Sequence, residues 1–357
     1  MHIQRLLDRD CPTMQAVSQR RYGPPNVLEL CEVVRPRPGP RDVLVRVKAS
    51  SVTVGDWRLS EAAFPGIFAI PGRIAFGVTR PRHPIGGTEF AGEVQQVGSH
   101  VTRFSPGDAV FGIVGWGAHA QYLRVSEDAA IVRMPDGLSY DEAAVMPYGC
   151  MTAWTFLHDL VGLRRGHRLL IVGASGGVGS YAVQVAKLLG ARVAAVCSER
   201  NFEFVQDLGA ELVFDYRSDD IRRTSLRFDT ILDVIGATRF GTHRGLLTPF
   251  GRHVFLNGSM QIMMQAFATR HSKGRRVVFA VNRSKRATLA TCADLAGSRE
   301  LRPVIERWYP LDRIQDAHRH VAGRHRAGSV AVVIEPTVRR STNAPWSSGN
   351  AGEPMSR

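Results

Sequence analysis

Residues 168–179 read RLLIVGASGGVG, and SYAVQVAKLLG (180–190) and ARVAAVCS (191–198) follow. An apolar run turns at clustered glycines into a stretch with helical periodicity, and a second apolar run comes next, which spells strand, glycine turn, helix, strand. Glycines at such a turn let the backbone approach a pyrophosphate without a Cβ in the way, while the helix N-terminus offers free N–H groups to the anion. The spacing is G-x-x-G-x-x-G rather than G-x-G-x-x-G, and a glycine turn of purely structural purpose is the competing reading. The flanking strands and helix favour a dinucleotide site.

Working outward, FDTILDVIG (228–236) and GRHVFLNGS (251–259) continue an alternation of strands and helices that implies a parallel sheet with crossover helices. Upstream, residues 14–135 carry short alternating runs such as DVLVRVKASSV (42–52) and FAGEVQQVG (90–98) between Gly and Pro clusters, the mark of a β-rich unit. The pattern changes at Ser139, with one helix predicted over 140–160. After Lys273 come the strand-like VVFAV (277–281), a helix near 285–296, and a closing helix and strand within 310–334. The class is α/β, with boundaries placed at 14–138, 139–284 and 285–335. Residues 1–13 read as an appendage and 336–357 as a disordered tail rich in Ser, Asn, Pro, Gly and Arg.

Composition narrows the function classes. With 357 residues and 44% hydrophobic content the chain can bury two cores. No run of about 18 uncharged apolar residues is present, so no membrane span is expected. The charged start MHIQRLLDRDCPTM is unlike a signal peptide, which points to the cytoplasm. Five scattered cysteines, without a C-x-x-C pair, argue against a disulfide framework or zinc knuckle. The formal charge of +14 comes from residues, mostly Arg, dispersed along the chain. It forms no basic helix, so a nucleic-acid partner is not expected.

The end of the second strand bears on the cofactor. An NAD-binding fold places an Asp or Glu there to hold the ribose hydroxyls; here the position is Ser198, followed by Glu199 and Arg200. A hydroxyl with a guanidinium nearby suits a 2′-phosphate, so NADPH is favoured, with Glu199 the residue that could reverse the choice.

Taken together, GGTEFAGEVQQVGSHVTRFSPGDAVFG (86–112), the glycine turn, VCSERN (196–201), LGAELVFDYR (208–217) and PLDRIQDAHRHVAGRHRAGSVAVVI (310–334) resemble medium-chain dehydrogenase/reductases. The branch resembled is that of quinone oxidoreductases, with zeta-crystallin-like and reticulon-interacting reductases. The resemblance implies a GroES-like catalytic domain, a Rossmann domain, a carboxy-terminal return to the catalytic domain and a homodimer. It also implies that Ser175, Gly176, Gly177 and Val178 line the pyrophosphate, that Ser198, Arg200 and Tyr216 form the 2′-phosphate region, and that Asn257 and Gly258 flank the nicotinamide. Thr152 would stand by the nicotinamide ribose and phosphate.

Departures from the family pattern matter equally. Where zinc alcohol dehydrogenases supply Cys, His and Cys, this chain has SSVTVGDW (50–57), GGTEFAG (86–92) and GCMTAW (149–154). Only Cys150 lies near a ligand position, so no metal site is expected. The Asn-x-x-Asp of quinone reductases is Thr53-Val54-Gly55-Asp56, followed by Trp57, and a common Tyr before Pro is Phe64.

Hydride delivery to a quinone or an α,β-unsaturated carbonyl needs no metal, only an aimed cofactor and a donor for the developing oxyanion. Thr53 and Tyr148 are the candidates for that donor, with His119 and Tyr122 behind them, although each could equally be a satisfied structural residue. Trp57, Phe64 and Trp116 are candidate pocket walls. An enoyl-thioester reductase, an alcohol dehydrogenase of the same fold, or a non-catalytic NADPH-binding protein remain the alternatives.

Overall fold

The computed structural model of the chain describes residues 11–64, 69–280, 285–323 and 326–335. Residues 1–10 of the expected appendage and the expected tail, 336–357, lie outside them. The first unit opens with an antiparallel ribbon, β1 (Thr13–Gln19) and β2 (Leu28–Val34). The long β3 (Asp42–Val52) runs into α1 (Val54–Glu61), and α2 (Ala69–Phe76) follows. Then come β4 (Glu89–Val97), β5 (Ala109–Ile113), β6 (Tyr122–Ser126) and β7 (Ala130–Arg133).

The predicted helix over 140–160 is broken into α3 (Tyr140–Ala144), α4 (Pro147–Trp154) and a π-helical stretch, Thr155–Leu160. Pro147 explains the first break: it has no N–H to continue a helix but suits the first position of a new one.

The second unit contains β8 (Arg168–Val172), α5 (Gly177–Leu188), β9 (Arg192–Cys197), α6 (Phe202–Asp207), β10 (Leu212–Asp215) and β11 (Phe228–Asp233). It continues with α7 (Phe240–His243), β12 (Leu247–Phe255), α8 (Met260–Thr269) and β13 (Arg276–Phe279). Its six strands are parallel in the order β10-β9-β8-β11-β12-β13. Their near-continuous apolar runs, such as Leu169–Val172, follow from burial on both faces. Helices α2 and α8 carry no strong sequence signal, and neither contains a buried residue.

After α9 (Arg286–Gly297) the chain returns through β14 (Ile305–Pro310), α10 (Ile314–Ala322) and β15 (Ser329–Val333). Both strands join the first unit's sheet, in the order β14-β15-β3-β4-β5-β7 with β6 also on β3. The last strand thus pairs with β3, Val332 opposite Ser50, across most of the sequence. The architecture is a GroES-like β-rich domain beside a Rossmann-type α/β domain. No described helix is long and apolar enough to cross a membrane.

Candidate functional site

The glycine turn lies between β8 and α5, where the sequence puts it. Gly173 has φ +85°, and a Cβ on Gly179 would come within 2.1 Å of the Gly173 carbonyl oxygen, so strand and helix meet only because both are glycine. Gly176 is the N-cap of α5 with no side-chain cap, which leaves first-turn N–H groups for an anion. Ser175 and Val178 are buried at the turn. The carboxy-terminal segment runs alongside: the Gly328 N–H donates to the Ser175 carbonyl at 2.7 Å, and the Ser175 hydroxyl to the Arg326 carbonyl at 3.3 Å. Helix α4 closes the other side, with Gly149 against the Gly177 carbonyl and Thr152 buried. These features fit a dinucleotide diphosphate.

At the end expected to take the adenosine, Ser198 stands just past β9, buried, with its hydroxyl accepting from Asn201 Nδ2 at 3.2 Å. Tyr216 follows β10, tied to the Cys197 carbonyl by its N–H, and its exposed ring lies under the Arg217 guanidinium at 5.5 Å. Arg200 is exposed one residue beyond Glu199. Arg217 is a second cation at this end that sequence reasoning missed.

At the opposite end, the two domains are joined by side chains. Arg58, on α1, donates from Nη1 to Asn257 Oδ1 at 2.8 Å, and Asn257 Nδ2 donates to the Val234 carbonyl at 3.1 Å. Gly258 is buried next to it. Thr53 caps α1 in a reciprocal box: its hydroxyl donates to Asp56 Oδ2 at 2.6 Å and accepts from the Asp56 N–H at 3.1 Å. Thr53 Oγ1 and the Tyr148 ring lie 3.2 and 4.0 Å from where a Gly55 Cβ would stand, so a glycine keeps the space between them open.

Glu89, at the first position of β4, is fully buried beneath this end. It accepts from the Ser51 hydroxyl and, at 2.5 Å, from the Tyr148 N–H in the first turn of α4. Burial pushes its pKa up to about 8 against these hydrogen bonds. Burial also raises the Tyr148 phenol, with the positive Arg58 and Arg326 opposing and Asp56 and Glu89 adding to the rise, so the ring keeps its proton at neutral pH.

The alcohol dehydrogenase GroES-like domain family matches residues 39–136, and the zinc-binding dehydrogenase family matches residues 208–332. The chain is 30% identical over 342 residues to the chloroplastic quinone-oxidoreductase homolog of Spinacia oleracea, covering 90% of this chain and 98% of that one. It is 32% identical to the mitochondrial NAD(P)H oxidoreductase RTN4IP1 of Homo sapiens, with 83% and 82% covered. The solved quinone oxidoreductase of Coxiella burnetii superposes with a TM-score of 0.80 at 26% identity, covering 91% of this chain and all 100% of that one. This chain belongs to the quinone-oxidoreductase branch of the medium-chain dehydrogenase/reductases. As a member of that branch it is an oxidoreductase that uses a nicotinamide cofactor.

One of the two matched families is named for zinc, so the donor set of this oxidoreductase bears on whether the metal fits. The segments SSVTVGDW and GGTEFAG, which would supply the first two ligands, contain neither thiolate nor imidazole. Cys150, expected near the third ligand position but displaced from it, would stand alone there. Its side chain is buried in the core in the same cluster as Cys292, and both thiols are free. Among the described residues no three His, Cys, Asp or Glu cluster as a metal site. The residues present do not fit a zinc ion, and no chemistry is derived through one.

The other candidates separate clearly. Tyr122 lies under Arg35 at 3.6 Å and packs against the β1 ribbon, away from Thr53 and Tyr148. Trp57 packs with α10 in a core cluster, and Phe64 stacks on Phe76 at 5.7 Å. His119 is buried, with Nε2 bonded to the Ser51 carbonyl at 2.9 Å, and lines a cavity together with Trp116, Asp56 and His318. Arg58 and His318 were missed, and Asp56 and Glu89 were read only as motif positions, because a single charged residue or His in a segment gives no local signal. Only the fold sets them side by side.

Proposed function

We propose that this oxidoreductase reduces a quinone or an α,β-unsaturated carbonyl with NADPH, without zinc. The carrying observation is that the Thr53 hydroxyl and the Tyr148 ring both flank Gly55, next to Arg58 and its bond to Asn257, with a donor set that does not suit a metal. The reduced nicotinamide, when bound, supplies a hydride. The α5 N-terminus and the glycine turn hold the diphosphate, and Arg58 with Asn257 fixes the two domains around the nicotinamide end. Tyr148, kept protonated by burial, then offers an O–H donor to the oxygen that gains charge, and Thr53 joins it by turning its hydroxyl away from Asp56. An acceptor already electrophilic needs no Lewis acid, whereas an unactivated alcohol has nothing here to acidify its hydroxyl.

Ser198, with Arg200 and Arg217 nearby, supports NADPH over NADH. A panel of quinones, enones, enoyl thioesters, aldehydes and primary alcohols, followed by NADPH and NADH absorbance, tests the reading. Turnover of quinones or enones is expected. Efficient oxidation of simple alcohols without quinone or enone reduction would contradict it.

A homodimer belongs to the same proposal. The six-stranded sheet ends at β13, and the neighbouring α8 exposes Met260, Met264 and Phe267, an apolar strip that a second copy would cover. Light scattering at micromolar concentration measures it, with a monomer as the contrary result.

A further inference from the structure

Arg103, Arg133, Lys285 and Arg286 are dispersed along the chain, yet they stand around one groove of about 650 Å³ between the β4–β5 loop, β7 and the start of α9. Small-molecule sites span about 300–1,000 Å³, so the groove has room for a ligand of nucleotide size. It is separate from the site described above. None of its lining residues belongs to the glycine turn, to the Arg58–Asn257 end or to the cavity beside His119.

The frame of the groove is fixed from beneath by Glu127, which is only 2% exposed. Its Oε2 accepts from the Thr102 and Arg103 N–H groups at 3.0 and 3.2 Å, and its carbonyl accepts from Arg286 Nη1 at 3.1 Å. One buried residue therefore sets both the backbone that carries Arg103 and the guanidinium of Arg286. Arg133 is held by Asp108, Nη2 to Oδ2 at 2.9 Å, and its guanidinium lies 5.8 Å from the Phe104 ring centre. Asp128, the acidic residue of the lining, is already paired with Arg41 at 3.0 Å. The Arg103 guanidinium and the Lys285 ammonium, by contrast, make no hydrogen bond or ion pair among the described residues. Like charges gathered around one space repel, and an anion placed between them relieves that repulsion.

We propose that this groove is a second ligand site, one that takes a small phosphate ester. Its phosphate is held between Arg103, Lys285 and Arg286, and its apolar part lies on Val132, Ala287 and Ala290. A guanidinium presents paired N–H donors that match two oxygens of a phosphate, while Lys adds a point charge. Several cations around one space answer the double charge of a phosphate monoester better than the single charge of a carboxylate. The apolar side chains favour an ester over inorganic phosphate, because covering them with a ring or chain adds affinity that the bare ion cannot gain. The site does not depend on the reductase reading, since it shares no residue with the cleft.

The test titrates phenyl phosphate into the full chain by calorimetry, at about 0.15 M salt so that diffuse surface attraction is screened. One site per chain is expected, with inorganic phosphate and benzoate each binding about 10-fold more weakly. Arg103→Gln and Lys285→Gln should each weaken phenyl phosphate by about 10-fold, and the double variant should show no measurable binding. Both side chains are exposed and unpaired, so the variants should keep the thermal stability of wild type. Arg307→Gln removes an exposed charge outside the groove, on β14, and should bind as wild type does. Four results would each overturn the proposal: no saturable binding to wild type, groove variants that bind normally, an equal loss in Arg307→Gln, or inorganic phosphate or benzoate binding as tightly as the ester.

Discussion

Arg58 Nη1 and Asn257 Oδ1 meet at 2.8 Å, one on the first helix of the GroES-like domain and the other at the end of a Rossmann strand. This charge-assisted hydrogen bond ties the two domains together, and in the proposed function it lies at the nicotinamide end of the cleft. Replacing Arg58 with Met should weaken NADPH binding by about 10-fold, the lower end for a bond to a charged group because both residues are partly exposed. Fluorescence titration of the free protein measures it. An unchanged Kd would mean that the bond does not shape the cofactor site.

Cofactor choice should turn on the two loops past β9 and β10. Arg200→Ala and Arg217→Ala are each expected to raise the apparent KM for NADPH by about 10-fold while leaving NADH little affected, since only the 2′-phosphate calls for a guanidinium. Ser198→Asp should push preference towards NADH by repelling that phosphate. Wild type that prefers NADH, or arginine variants that weaken both cofactors equally, would assign the choice to Glu199 or another group.

Gly179→Ala places a methyl 2.1 Å from the Gly173 carbonyl oxygen and 2.7 Å from that of Ala174. Both atoms are backbone and cannot swing aside. The variant should lose about 1–3 kcal/mol of stability, as overpacking does, and bind neither cofactor measurably. A thermal melt and titration decide it; wild-type values in both would mean that the turn is looser than its geometry.

Glu89 gives a stability signature. Its folded pKa of about 8 lies above the ordinary 4.5, so between these values the folded chain holds a proton that the unfolded chain has released. Stability from this group is complete below about pH 4.5 and is lost as pH rises through 8, at up to about 1.4 kcal/mol per pH unit. Glu89→Gln should remove that slope, making the variant's urea midpoint less pH-dependent than wild type between pH 5 and 8. Parallel pH dependences would show that Glu89 ionises normally.

Purified protein should contain no stoichiometric zinc and keep its activity in chelator, because Thr53, Thr88 and Tyr148 supply no thiolate or imidazole. Elemental analysis giving about one zinc per chain, with activity lost on chelation, would be decisive against this.

Much of this was legible in the chain as written. RLLIVGASGGVG determined a strand, turn and helix because glycine alone tolerates the φ of Gly173 and the contact at Gly179, a local steric fact that any sequence carries with it. The β-rich first half, the parallel second half, and the absence of Cys or His from SSVTVGDW and GGTEFAG were equally local. What lay beyond it depended on contacts distant in sequence. Pro147 broke a helix that periodicity alone would continue, and Cys150 turned into the core to meet Cys292. The partners Arg58–Asn257 and Glu89–Tyr148 are separated by long stretches of chain, and no spacing rule relates them. Burial and hydrogen bonding assign their roles, and both exist only once β15 has paired with β3 and the two sheets have closed on the shared cleft.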